Sequence, residues 1–353
     1  MKPILSVIIP LDIDDDNDFR INRLENILKI FSNNKKIELV VVNSGKKDKY
    51  KKLVSLICKQ TPNVKYISCQ MLKIYSAAYA RNIGAKLAIG KYLLFFDVDL
   101  LVDTNFVNTI LSDILSFKYK KEYHIYPCCY LEETFSKKIE ALGTKVNFTK
   151  IKESYLRGYN DKVLYLAVNT STILVNKEHF IEIGMYNETF KGHGYEDFEL
   201  IHRLYINDTP YAIKEDYLID FKTNFPSQYK GFRKYFSYKA LPNFFRDMYT
   251  IHLWHPRPLT SKYYKVRKTN QKYFLEYLKQ DISKYDNKNK DLKSYEELIS
   301  QLLEKYDRDE YCGLDRYNKY VKKPKGSIKR KFRKIILHPI DFIQDAIRNR
   351  LGK

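Results

Sequence analysis

The chain has 353 residues, 44% of them hydrophobic and 15% aromatic, which excludes a disordered polymer and allows one large α/β domain with an appendage or two ordinary domains. Its formal net charge is +21, but residues 322–353 alone hold eleven Lys/Arg against two Asp. The body is only mildly basic, and with no recognisable nucleic-acid motif beside that charge the composition argues against a nucleic-acid-binding protein.

Ile4 to Pro10 (Ile-Leu-Ser-Val-Ile-Ile-Pro) reads as a first buried strand that stops at a proline. The acidic run Asp12 to Asp18 is a loop, and Arg20 to Phe31 follows with Ile21, Leu24, Ile27, Leu28 and Phe31 at helical spacing. Ile37 to Val42 is a second strand, closing on the turn signal Asn43-Ser44-Gly45. A helix over Tyr50–Cys58, a short strand over Val64–Ser68 and an Ala-rich helix over Tyr75–Ile89 lead into Lys91–Leu101. That last stretch runs apolar and aromatic residues straight into Asp97 and Asp99, as a strand buried on both faces of a parallel sheet would. Residues i and i+2 of a strand share a face, so the two carboxylates can converge on a divalent cation, or they can form a solvated Asp-x-Asp turn. Alternating strands and helices predict parallel βαβ units and a Rossmann-like sheet, whose carboxyl edge is where such sheets bind ligands.

Ser-Val-Ile-Ile-Pro, Val-Val-Val-Asn-Ser-Gly, Ala80-Arg81-Asn82-Ile83-Gly84 and Phe-Phe-Asp-Val-Asp together resemble a family 2 glycosyltransferase of the GT-A fold over roughly the first 100 residues. The resemblance implies that the first two strand ends, at Pro10 and Asn43, hold the base and ribose of a nucleotide-sugar. It also implies that Arg81 supports the donor pocket and that Asp97 and Asp99 contact ribose and metal. Two departures stand out: Asn43 occupies the place of the usual acidic base reader, and the Asp12–Asp18 loop is long.

Further on, Phe106–Phe117 reads as a helix, Tyr123–Tyr130 as a strand and the Lys-rich region to Gly158 as a variable loop bordering an acceptor. Asn169–Val175 reads as a strand. It leads to Gly192-His193-Gly194-Tyr195-Glu196-Asp197-Phe198-Glu199-Leu200, with a helix starting near Glu196. Acids in a first turn also complement the helix dipole without any chemistry. The segment is nonetheless similar to the Glu-Asp module of β-1,4-galactosyltransferases and chondroitin-polymerase-like enzymes. That likeness implies that Glu196, with Gly194 and Tyr195, holds the acceptor sugar and that Asp197 is the base. A sugar hydroxyl needs such a proton acceptor to become a competent nucleophile.

In Ile251-His252-Leu253-Trp254-His255-Pro256 two histidines stand three apart. A pair of this kind serves as ordinary polarity or as transition-metal ligands. The resemblance makes His255, and more softly His252, complete with Asp99 a site for Mn2+ or Mg2+. From Ser261 to Tyr320 helical spacing (Phe274, Leu275, Leu278; Leu298, Leu302, Leu303) predicts a helical appendage. Residues 327–351 interleave apolar and basic positions around Pro339, as expected either of a segment lying on an anionic membrane surface or of a helix packed on the domain.

The expected organisation is a GT-A glycosyltransferase domain over 1–260 (a nucleotide-sugar half, 1–101, and an acceptor and metal half, 102–260), a helical appendage over 261–321 and a basic tail over 322–353. Five cysteines without Cys-x-x-Cys spacing fit reduced thiols. With no charged-then-apolar leader and no apolar run near ~18 residues, the expected location is the cytoplasm, either free or, through the basic tail, peripheral on the inner face of the membrane. The expected activity is an inverting, metal-dependent transfer from a UDP-sugar to a glycan acceptor in capsule or other surface-polysaccharide synthesis. A retaining GT-A enzyme, a non-catalytic scaffold subunit and a nucleic-acid binder are the alternatives.

Overall fold

A computed structural model describes residues 2–14, 19–69, 73–142, 146–158, 162–221, 223–257, 261–282, 291–307 and 312–314, with five separate positions of the tail. The first half alternates strand and helix. It runs β1 (Leu5–Leu11), α1 (Arg20–Ser32), β2 (Ile37–Asn43), α2 (Asp48–Lys59), β3 (Val64–Ser68), α3 (Ala77–Leu87), β4 (Tyr92–Phe95), β5 (Leu100–Leu101) and α4 (Thr104–Ser116). There follow β6 (Tyr123–Ile125), β7 (Cys128–Leu131), α5 (Glu133–Leu142), α6 (Phe148–Leu156), β8 (Val163–Ala167), β9 (Ile173–Asn176), α7 (Lys177–Glu182) and α8 (Glu196–Asp208). The remainder is β10 (Asp220–Phe221), β11 (Lys230–Gly231), α9 (Phe232–Phe245), β12 (Thr250–His252), α10 (Lys262–Lys265), α11 (Arg267–Ile282) and α12 (Tyr295–Lys305).

The central six-stranded sheet has the order β3-β2-β1-β4-β9-β6. Strands β3, β2, β1 and β4 are parallel, while β9 runs antiparallel to both β4 and β6. Both faces are covered. Ile8, Val40, Val42, Leu93 and Phe95 point into one apolar cluster, and Val7, Ile9, Leu39, Val41 and Leu94 into the other. This two-sided burial explains why the strands read as unbroken apolar runs. The mixed α/β fold, with a mostly parallel sheet between helices, agrees with the expected class. Phe274, Leu278, Ile299 and Leu302 of α11 and α12 join the same core cluster as α8 and α9.

Three local expectations are corrected. Lys91–Leu101 is not one strand: β4 ends at Phe95, Leu100 N–H donates to the Asp97 carbonyl across a turn (3.1 Å), and β5 belongs to a second sheet of order β5-β12-β7-β8. The 123–130 run likewise breaks at Tyr126-Pro127 and feeds both sheets, because proline gives the ladder no N–H. The Lys-rich region before Gly158 is not a loop but contains α5 and α6, which bury Ile139, Ile151, Tyr155 and Leu156 at helical spacing beneath exposed lysines.

Helix α3 can lie close on β1 and β2 because residue 84 is glycine: a Cβ there would stand 2.6 Å from Ile8 Cγ2 and 3.0 Å from Val42 Cγ2. This approach sets where Arg81, one turn earlier, meets the sheet edge. Gly84→Val should therefore lower stability by about 1–3 kcal/mol through overpacking, read as a reduced midpoint in urea unfolding.

Candidate active site

The site gathers at the carboxyl edge of the parallel strands. After β4 leaves the core, the turn directs Asp97 and Asp99 to different partners rather than to a shared one. Asp97 is held through both oxygens, accepting from Arg81 Nη2 (2.7 Å) and Ser171 Oγ (2.6 Å). Arg81, 2% exposed, reaches in the other direction to Asp197: Nη1 lies 2.8 Å from Asp197 Oδ1 and 3.6 Å from Glu196. Burial opposes the guanidinium charge, yet the carboxylates of Asp197 and Asp97 hold its pKa well above the ordinary value. The Tyr186 ring packs against the same guanidinium, 5.1 Å away, and its hydroxyl donates to Asp197 (3.4 Å).

Glu196 and Asp197 open α8 from an unusual entry. Gly192, Gly194 and Tyr195 all have positive φ (69°, 92° and 77°), which turns the chain sharply into the first helical turn. The two acids then face different environments. The Glu196 side chain is 7% exposed and Asp197 23%. Burial, then the neighbouring Asp197 charge, pushes Glu196 up to about 8, and among the described residues its Oε2 has no hydrogen-bond partner. Burial raises Asp197 as well, but Arg81 pulls against it. Burial thus favours the protonated form of Glu196, while the Arg81 charge opposes the same effect of burial on Asp197.

Asp99 forms the second centre. Its Oδ1 accepts from Arg23 Nη1 (2.5 Å) while Oδ2 faces His255 Nε2 at 3.6 Å. Single ligand atoms of Asp99, His252 and His255 all lie within 4.8 Å of one another. Donors ~2.1 Å from an octahedral ion stand about 3 Å apart when adjacent and about 4.2 Å when opposite, so the triad fits one divalent ion after small side-chain movements. The neutral form, the one that can ligate, is favoured at both imidazoles: burial and then the Arg257 charge put His252 well below its ordinary range, and burial, opposed by Asp99, lowers His255. His252 stacks on Tyr130 (4.1 Å between centroids), which fixes its ring. Helix α5 supports the centre from behind. Arg23 Nε donates to Glu140 (2.7 Å) and Arg23 Nη2 to the Trp254 carbonyl (2.7 Å), while Trp254 N–H donates to Ser136 Oγ (2.8 Å).

Arg81, Asp97, Glu196 and Asp197 thus meet, and Asp99, His252 and His255 meet. Other expected site residues stand differently. Asn43 is fully buried and spends its Oδ1 on the Gly45 N–H (3.0 Å), closing the turn after β2. Pro10 is buried within β1, in register with Val42. Tyr195 does not line the cleft: its left-handed backbone turns the ring into the core, 5.6 Å from Phe198 and 5.8 Å from Phe274, with its hydroxyl on Asp220 (2.6 Å). Gly194 serves packing, since a Cβ there would stand 2.5 Å from Arg267 Nη1. Sequence reasoning missed Arg23, Ser171 and an aromatic wall. In that wall Gly192 N–H donates to the Tyr75 carbonyl (2.8 Å) and His193 N–H to the Tyr263 carbonyl (2.9 Å), and the rings of Tyr75, His193 and Tyr264 lie 5.2–5.8 Å from a neighbour in the group. Arg23 carried a signal, as a cation in line with the buried stripe Leu24, Ile27, Leu28 of α1.

Residues 6–280 match the family model described as "Glycosyltransferase like family 2". The chain belongs to that family. Over 95 residues it is 35% identical to an uncharacterized glycosyltransferase of Rickettsia felis and 34% identical to one of Rickettsia conorii. Those segments cover 27% of this chain and 14% of each relative's length. Among solved structures it is similar to TarS 1–349 of S. aureus in complex with UDP (16% identity, TM-score 0.39, 59% of this chain and 56% of that one). It is also similar to the mannosyltransferase PcManGT of Pyrobaculum calidifontis in complex with GDP-Man and Mn2+ (11% identity, TM-score 0.44, 99% and 80%).

For this family 2 member the carboxyl pair sets a pH dependence of stability. Between the ordinary carboxyl value of 4.5 and about 8, folded Glu196 keeps a proton that the unfolded chain releases. Its contribution therefore weakens as pH rises through that window and is fully lost above it. Glu196→Gln should gain on the wild type more at pH 9 than at pH 6 in urea unfolding; an equal difference at both would place the proton elsewhere.

Proposed function

We propose that the chain is an inverting, metal-dependent glycosyltransferase that moves a sugar from a nucleotide-sugar, with UDP as the nucleotide, to a hydroxyl of a glycan acceptor in surface-polysaccharide synthesis. The observation that carries this reading is the division of labour between the two carboxyl centres. One is a carboxylate–imidazole triad suited to a divalent ion beside a diphosphate. The other is an Arg81-held acid and base pair suited to an acceptor hydroxyl.

Asp99, His255 and His252 would hold the ion, with Mn2+ favoured over Mg2+ by the two imidazole donors. When bound, the ion supplies charge neutralisation for the departing nucleoside diphosphate. Asp97, fixed by Arg81 and Ser171, orients the donor. On the other side of Arg81, the more exposed Asp197 takes the proton of the acceptor hydroxyl as its oxygen attacks the anomeric carbon from the face opposite the leaving group. Glu196, protonated, donates a hydrogen bond to an acceptor oxygen, and the wall formed by Tyr75, His193, Tyr263 and Tyr264 offers ring faces to the sugar.

Two measurements test the centres separately. Asp99→Ala and His255→Ala should each weaken Mn2+ binding by calorimetry, and EDTA should abolish transfer; full turnover in EDTA contradicts the metal role. Asp197→Asn should lower transfer by about 10²–10⁴-fold while nucleotide binding stays near the wild-type value. Loss of both together would mean that the substitution has released Arg81 rather than removed a base.

A further inference from the structure

Helix α2 carries a second surface, on the edge of the central sheet formed by β3. Its inner face buries Tyr50, Val54, Ile57 and Cys58. Its outer face is not simply polar: Leu53 and Leu56 are 36% and 54% exposed, among exposed Lys49, Lys52 and Lys59. Residues 46–59 contain six lysines and one aspartate. Lys52, Leu56 and Lys59 are four and three residues apart, so they share one helix face. Beside it lies a groove of ≈ 360 Å³ lined by Lys51, Lys52, Ser55, Leu56, Lys59 and Tyr66.

A solvated helix face gains nothing from leucines, and the core already has its own apolar stripe. Apolar side chains projecting between cations match a bilayer interface, where the leucines enter the acyl boundary and the lysines meet anionic headgroups. A soluble polyanion would use the lysines but give the leucines nothing. β2 ends at Asn43 and α2 begins at Asp48, so Lys46, Lys47 and Lys49 start this surface at the same sheet edge as the cleft, and the groove residues continue it along the helix toward the opposite edge. No helix among the described residues is long and apolar enough to cross a membrane. The tail's described side chains Phe332, Ile335, Ile336 and Ile343 are exposed as well; the rest of that predicted basic amphipathic segment lies outside the described residues.

We propose that the outer face of α2 docks on an anionic lipid bilayer, with a lipid phosphate in the Lys51–Lys59 groove and Leu53 and Leu56 inserted beside it. The docking is independent of the transferase reading. The test uses the full chain in flotation with vesicles of phosphatidylcholine alone and mixed with phosphatidylglycerol, on variants whose thermal unfolding matches the wild type, as exposed positions should allow. Lys52→Glu/Lys59→Glu and, separately, Leu53→Ser/Leu56→Ser should each reduce binding to the mixed vesicles by about tenfold or more. If both pairs float like the wild type, α2 is not the docking face and the proposal fails. If only the lysine pair matters, the groove takes polyanions rather than a bilayer, and the proposal fails equally.

Discussion

A single buried cation organises the site. Arg81 joins Asp97, just past the end of a sheet strand, to Asp197, in the first turn of a helix about a hundred residues later. A guanidinium 2% exposed is costly unless charged acceptors meet it, and here two carboxylates meet its Nη1 and Nη2 in opposite directions. The same contact ties the end of the parallel sheet to the start of α8, and its positive charge opposes the burial that raises both Glu196 and Asp197. Removing either partner would leave a buried charge uncompensated, so the geometry of both halves depends on this one side chain.

Around that link the fold supplies two further constraints. Gly84 lets α3 lie close on β1 and β2, which places Arg81 at the sheet edge, and the left-handed backbone from Gly192 to Tyr195 starts α8 with its acids facing Arg81. The metal-competent triad has separate support. Helix α5 fixes Arg23 and Trp254, Arg23 occupies one oxygen of Asp99, and β12 carries His252 into the stack with Tyr130. In this way Arg23 leaves only Asp99 Oδ2 facing the imidazoles.

Much of this was legible in the sequence, and for physical reasons. Strands buried on both faces leave unbroken apolar runs, so β1, β2 and the first part of the 91–101 stretch were readable, with the helices between them and the half-buried edge strand β3. Acids at an element's edge were conspicuous at Asp97, Asp99, Glu196 and Asp197. What could not be read depends on tertiary partners. Nothing local distinguishes Ser171 from ordinary polar residues until Asp97 is placed against it, and the position of Arg23 in the buried stripe of α1 does not by itself point to Asp99. Period-two reasoning failed at Asp97 and Asp99 because the strand had already ended, and a turn sends neighbours apart. Helices α5 and α6 were hidden by lysines that cover their exposed faces, and no local pattern announced the left-handed backbone of Tyr195 or the packing of its ring on Phe198 and Phe274.

The central claim is that Arg81 and burial divide Glu196 and Asp197 into an acid and a base. Carbon-13 NMR of labelled side-chain carboxyls, titrated in the wild type and assigned with Glu196→Gln and Asp197→Asn, observes this without any substrate. The account predicts that Glu196 titrates near 8 and that Asp197 ionises at lower pH. If Asp197 kept its proton to higher pH than Glu196, the two roles would be reversed and the account contradicted.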